Sequence, residues 1–164
     1  MELILADEAA TARAGAALAR SLPDMHAQNL LLALSGELGS GKTTLARGLL
    51  RALGVTGSVH SPTFTLVEPY ETARGAVHHL DLYRLEPGMR ALEGLGYRDI
   101  RGRPGLVLVE WPERAGDALG EPDLAVRLEH EGGERRISLA ARGDSGRAWL
   151  ASGRALLEEC GLSR

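Results

Sequence analysis

The stretch "NLLLALSGELGSGKTTLARGLLRAL", residues 29–53, restricts the fold more than any other part of the chain. Residues 29–35 are a continuous apolar run, the pattern of a strand buried on both faces of a parallel sheet. Residues 42–53 place Leu45, Leu49 and Leu53 at helical spacing and stop at Gly54. Between them lies G-x-x-x-x-G-K-S/T, as Gly36, Gly41, Lys42 and Thr43. Strand, glycine-rich turn and helix in that order make a phosphate cradle. Glycine admits backbone angles that turn successive N–H groups inward onto phosphate oxygens, and the helix adds its positive end. A plain surface turn with a solvated lysine is the competing reading, and the two flanking elements argue against it.

Each position of the cradle has a chemical task. The backbone of Gly36, Leu38, Gly39, Ser40 and Gly41 surrounds the phosphates, and Lys42 reaches the β- and γ-phosphates. The Thr43 hydroxyl suits magnesium, and the Thr44 hydroxyl suits an α-phosphate oxygen. No guanine-reading N-K-x-D stretch is present, which favours ATP over GTP. Hydrolysis further needs a carboxylate at the end of a neighbouring strand. Glu110 ends the apolar run "LVLVE" and is assigned to the metal side. Asp81 ends "VHHLD" and is assigned to polarising water or holding a metal-bound water, with a helix or turn cap as its alternative. In "HSPTFT", residues 60–65, Ser61 and Thr63 are switch candidates that can sense the γ-phosphate, against an ordinary loop-to-strand entry. The pair His78 and His79 points to opposite faces of a strand and therefore reads as structural. Arg84 can contact phosphate or a partner, though a solvated arginine fits it better.

The rest of the chain fills in an α/β domain. Residues 3–6 read as a strand edge, and Asp7 caps an alanine-rich helix ending near Leu22. Residues 63–70 and 76–83 read as two strands, 87–96 as a short helix with Pro87 at its start, and 105–111 as a second buried strand. Two alternating segments around Gly132 and Gly133 read as a late antiparallel hairpin, and 145–162 as a closing helix. The expected fold is therefore a P-loop NTPase-like mixed β-sheet flanked by helices, with all 164 residues in a single domain.

Composition narrows the function classes. With 44% hydrophobic and 25% charged residues the chain reads as globular, and its longest apolar run, 30–34, is too short for a membrane span. The acidic start "MELILADE" lacks the basic opening of a secretory signal, so a cytoplasmic location is expected. The lone Cys160 excludes an internal disulfide and reads as a packing or surface residue rather than a nucleophile. A net charge of −3 does not suit a protein that grips RNA unaided, since phosphate contacts demand a basic field.

Four motifs in order, "GELGSGKTT", "SPTFTLVEPY", "HHLDLYRL" and "LVEWPER", resemble those of the bacterial TsaE family, the ATPase component of tRNA threonylcarbamoyladenosine synthesis. The resemblance covers residues 7–114. It implies binding of ATP and Mg2+ and association with a TsaB–TsaD pair. That pair transfers a threonylcarbamoyl group to the adenosine beside the anticodon, so tRNA is met only through the partners. By motif, Lys42, Thr43 and Glu110 serve the phosphates and metal, Asp81 supports hydrolysis, and Thr11 in "DEAAT" touches the adenine end. The alternative function is a small-molecule or nucleotide kinase, which would use Arg98, Arg101 and Arg103 as lid arginines.

Overall fold

A computed structural model of the chain describes residues 1–86 and 89–162. The elements are β1 (Glu2–Leu5), α1 (Glu8–Arg20), β2 (Asn29–Gly36), α2 (Lys42–Ala52), β3 (Val67–Thr72) and β4 (Gly75–Asp81). They continue with α3 (Met89–Gly94), α4 (Tyr97–Arg101), β5 (Gly105–Glu110), β6 (Leu124–Glu131), β7 (Glu134–Ala141) and α5 (Gly143–Glu158). Short 3₁₀ turns at Pro112–Arg114 and Gly116–Leu119 join β5 to β6.

The strands form one mixed sheet in the order β1-β7-β6-β2-β5-β4-β3. Its centre, β4, β5, β2 and β6, is parallel, and β3, β7 and β1 pair antiparallel at the flanks. Parallel strands leave all their carboxyl ends on one edge, where loops can converge on a ligand. Register makes this concrete: Asp81 lies opposite Glu110, and Glu110 opposite Leu34, just before the turn that leaves β2.

Alternation along the strands builds two apolar layers. Leu30, Leu32, Leu34, Leu106, Leu108 and Val77 pack on the side of α1, α2 and α5. Leu31, Val107, Val109 and Leu80 pack on the other side, against Leu92, Tyr97 and Leu119. The continuous apolar runs of β2 and β5 thus follow from burial on both faces.

Local chemistry sets the helices. The Asp7 carboxylate accepts from Ala10 N at 2.7 Å and starts α1. Helices α1 and α2 cross with their backbones nearly touching: a Cβ on Gly48 would lie 2.1 Å from the Ala12 carbonyl oxygen. Any larger residue there forces the helices apart. Helix α5 docks through fully buried Trp149, whose indole N–H donates to Leu18 O at 2.9 Å. Trimming that side chain to alanine is worth about 3–5 kcal/mol.

Several expected segments differ in extent, the strand expected over 76–83 among them, which is Gly75–Asp81. The strand expected over 63–70 begins only at Val67; residues 63–65 form a turn and Leu66 has φ 63°. The turn persists because Leu66 N donates to Pro62 O while Leu66 O accepts from Asp81 N, tying it to the end of β4. The strand expected over 105–111 ends at Glu110, because Trp111 adopts φ 60° and leaves the sheet. The helix expected over 87–96 is seen as Met89–Gly94, with Pro87 outside the described residues; a further helix, α4, follows from Gly96 at φ 72°. The closing helix spans Gly143–Glu158, after which Leu162 N donates to Ile4 O on β1. Half-buried Cys160 directs its thiol to Leu156 O, and burial pushes its pKa up, as suits a packing residue.

Candidate functional site

The turn between β2 and α2 wraps back over the strand it leaves. Gly36 has φ 137°, and a Cβ there would meet Leu128 O of β6 at 2.2 Å, so only glycine allows the strand to close against its neighbour and turn. Gly41 has φ 108° as the residue preceding α2. A Cβ on it would sit 3.3 Å from both Arg135 Nε and Thr11 Cγ2, two side chains that back the loop. Lys42 is 4% exposed and donates to Gly36 O and Glu37 O, each at 2.7 Å. Its ammonium also lies 4.0 Å from the centre of the Trp111 ring, a contact worth about 0.5–2 kcal/mol. Burial holds the Lys42 pKa below the usual lysine range, against the opposing pull of Glu110, Glu113 and Asp81.

Two carboxylates stand side by side at the strand ends. Glu110 is 1% exposed. Its Oε2 accepts from the Thr43 hydroxyl and its Oε1 pairs with His79 Nε2, both at 2.8 Å. Asp81 is held differently. Its Oδ2 accepts from the Ser61 hydroxyl and from the Thr63 hydroxyl at 3.2 Å, while Oδ1 accepts from Tyr83 N at 2.9 Å. The turn-cap alternative is therefore realised by one oxygen, and the other faces the loop hydroxyls.

These groups enclose a cavity of about 300 Å³. Leu38, Gly39, Gly41, Lys42, Thr43, Thr44, Ser61, Thr63, Asp81 and Glu110 line it, joined by Tyr83 and Trp111. Gly36 and buried Ser40 are not among the cavity-lining residues. Thr11 is fully buried, its hydroxyl donating to Asp7 O, and is not among the cavity-lining residues. The Thr44 hydroxyl reaches Glu8 Oε1 at 3.3 Å. Arg84 is exposed and stacks over exposed Phe64, 4.6 Å from its ring centre.

The arginines expected for a kinase lid stand elsewhere. Arg101 donates to Asn29 Oδ1, and Asn29 Nδ2 donates to the Arg103 carbonyl without the guanidinium taking part. Asn29 is the first residue of β2, whereas the cradle starts at its last residue, Gly36. Arg98 pairs with Glu93 and joins Arg101 in lining a separate cavity beside α4.

Two cavity-lining residues escaped the sequence reading. Tyr83 and Trp111 pack together with ring centres 4.9 Å apart. Trp111 holds left-handed backbone angles, which cost a bulky residue about 1–3 kcal/mol; an aromatic directly after a strand-end carboxylate was the available signal. His79 was read as structural, and its pairing with Glu110 depends on strand order that spacing does not reveal. His78, as expected, points to the other face.

Residues 5–137 match the family model described as "Threonylcarbamoyl adenosine biosynthesis protein TsaE". The chain belongs to the TsaE family. A curated TsaE protein of Haemophilus influenzae is 39% identical over 142 residues, covering 86% of this chain and 89% of the relative. A TsaE protein of Synechocystis is 43% identical, covering 70% and 71%. Among solved structures, Bacillus subtilis YdiB superposes with a TM-score of 0.75 at 26% identity, covering 94% of both chains. The P-loop NTPase-like α/β fold is thus common to this TsaE-family chain and its structural neighbour.

Proposed function

We propose that this TsaE-family chain is a magnesium-dependent ATPase subunit. It supports threonylcarbamoyl transfer to tRNA by acting on a TsaB–TsaD-type protein pair. The observation that supports hydrolysis most is the register of Asp81 against Glu110 beside Lys42 and Thr43, within one cavity.

The donor set fits the expected ligands. The positive-φ glycines let the turn present its backbone N–H groups to phosphate oxygens, and Lys42 supplies the cation. Thr43 and Glu110 present hard oxygens, the chemistry Mg2+ selects, and a magnesium site typically uses one or two carboxylates plus phosphate. When bound, Mg2+ supplies charge neutralisation at the phosphates. In the reaction a water oxygen bonds to the γ-phosphorus as the bond to the ADP oxygen breaks, giving ADP and phosphate. Asp81 orients that water and accepts its proton; Ser61 and Thr63 hold the carboxylate in place. Lys42 binds and steadies the phosphates. Charge fits the partner assignment, since a chain of net −3 acts on the protein pair and meets tRNA through it.

Phosphate release is to be measured with the chain alone, with the TsaB–TsaD pair, and with a panel of nucleosides and metabolites. Stimulation by the pair is expected. Phosphate appearing on a small acceptor would instead show a kinase, and binding without release under every condition would show a nucleotide-dependent switch.

A further inference from the structure

We propose that His79 is a positioning residue for this ATPase: it fixes the Glu110 carboxylate from beneath and leaves the other oxygen directed at Thr43. The inference rests on the hydrolytic reading and adds a residue to it. Glu110 is gripped from two sides. Thr43, at the start of α2, donates to Oε2 from above; His79 Nε2 meets Oε1 at 2.8 Å from within the sheet. Both interactions bind the same buried carboxylate, so it has no free oxygen about which to swing.

The fold dictates the approach. Alternation along β4 sends Val77, His79 and Asp81 to the face covered by α2, and parallel pairing sets His79 opposite Leu108 while Asp81 meets Glu110. One strand therefore delivers Asp81 to the cavity and, one alternate position earlier, the imidazole that sits under Glu110.

The second ring nitrogen is the more telling observation. His79 is fully buried, and its Nδ1 has no hydrogen-bond partner among the described residues. Buried polar atoms are nearly always paired, and a leucine would fill this position without leaving one unpaired. A histidine whose Nδ1 is left bare is explained by the use of the other nitrogen. A carboxylate accepts only, so Nε2 carries the hydrogen. Groups that orient a ligating side chain in this way matter nearly as much as the ligand itself.

The test uses the full chain, with His79→Leu and His79→Gln as variants. Nitrogen-15 NMR of the nucleotide-free protein is expected to show the Nε2–H tautomer at His79, with a signature that changes in Glu110→Gln. In partner-stimulated turnover, His79→Leu is expected to lower kcat by about 10- to 100-fold and raise the Mg2+ requirement, with KM for ATP little changed because the cradle is intact. His79→Gln, which keeps an N–H at the same reach, is expected to recover much of the loss. Thermal unfolding checks that each variant is folded; should His79→Leu fail to fold, the tautomer and His79→Gln decide. An Nδ1–H tautomer overturns the inference. So does a folded His79→Leu with wild-type kcat and Mg2+ dependence, or equal impairment of the two variants. A wild-type chain that releases no phosphate with the protein pair overturns the ATPase reading instead, and the tautomer then judges the His79–Glu110 pairing by itself.

Discussion

Glu110 and Asp81 occupy facing positions on adjacent parallel strands, yet they are held by different kinds of structure. Glu110 is clasped by regular elements: His79 on β4 and Thr43 on α2. The Asp81 carboxylate accepts two of its three hydrogen bonds from Ser61 and Thr63, on a loop that enters β3 through the left-handed Leu66. A carboxylate fixed by a helix and a sheet is suited to a constant task, such as holding a metal. One fixed by loop hydroxyls changes its surroundings whenever the loop moves, which suits a step that partners control. Strand position alone does not distinguish the two carboxylates, whereas the elements that hold them do.

The largest effect expected from this division belongs to Asp81→Ala. Turnover should fall by about 10²–10⁴-fold, the range of a lost general base, while ATP affinity stays largely intact. Steady-state kinetics beside an ATP titration reads both, and the opposite pattern would exchange the two carboxylate roles. Glu110→Ala comes next. Weakened Mg2+ dependence of about 10- to 100-fold should accompany it. A loss of about 1–3 kcal/mol in unfolding free energy should follow from the unpaired His79. Unchanged Mg2+ titration curves would remove Glu110 from the metal side. The double change Ser61→Ala with Thr63→Ala should be milder, about 1 kcal/mol for each hydrogen bond and confined to the loop. Limited proteolysis should then cut near residues 58–66 sooner, with the global melting temperature little moved.

The smallest effect lies on the opposite face of the sheet. Tyr97, 7% exposed, donates to Leu119 O at 2.6 Å, and burial pushes its hydroxyl up to about 12 from the ordinary 10.0. A raised phenol pKa stabilises the fold fully below pH 10, and that contribution is lost as pH rises from 10 toward 12, because the unfolded chain ionises first. Tyr97→Phe should therefore flatten the alkaline loss of stability and lower unfolding free energy by about 1 kcal/mol, leaving ATP turnover unchanged. A turnover defect in that variant would tie the α4 cavity to the catalytic end.

The strand, glycine turn and helix of residues 29–52 were legible because their signal is local: the apolar run of β2, the glycines and the spacing of Leu45 and Leu49 lie within one short stretch. Asp7 as a cap and the late hairpin were legible for the same reason. Contacts set by strand order were hidden. Nothing in "VHHLD" or "LVLVE" says that β4 and β5 are neighbours, so the Asp81–Glu110 register and the His79 contact emerge only from the assembled sheet. The start of β3 was misplaced because "TFTLVEPY" carries strand-like residues, while its first residues answer instead to Asp81, distant in sequence. The placement of Arg101 likewise needed the fold, which carries it to the amino end of β2.

Equilibrium titration of ATP with Mg2+ into the wild-type chain and into Lys42→Ala tests the phosphate cradle most directly. The expected result is saturable binding to the wild type and a loss of about 10- to 100-fold or more in Lys42→Ala, the scale of charge-assisted hydrogen bonds to phosphate. Equal affinity in the two chains, or no saturable binding to the wild type, would contradict it.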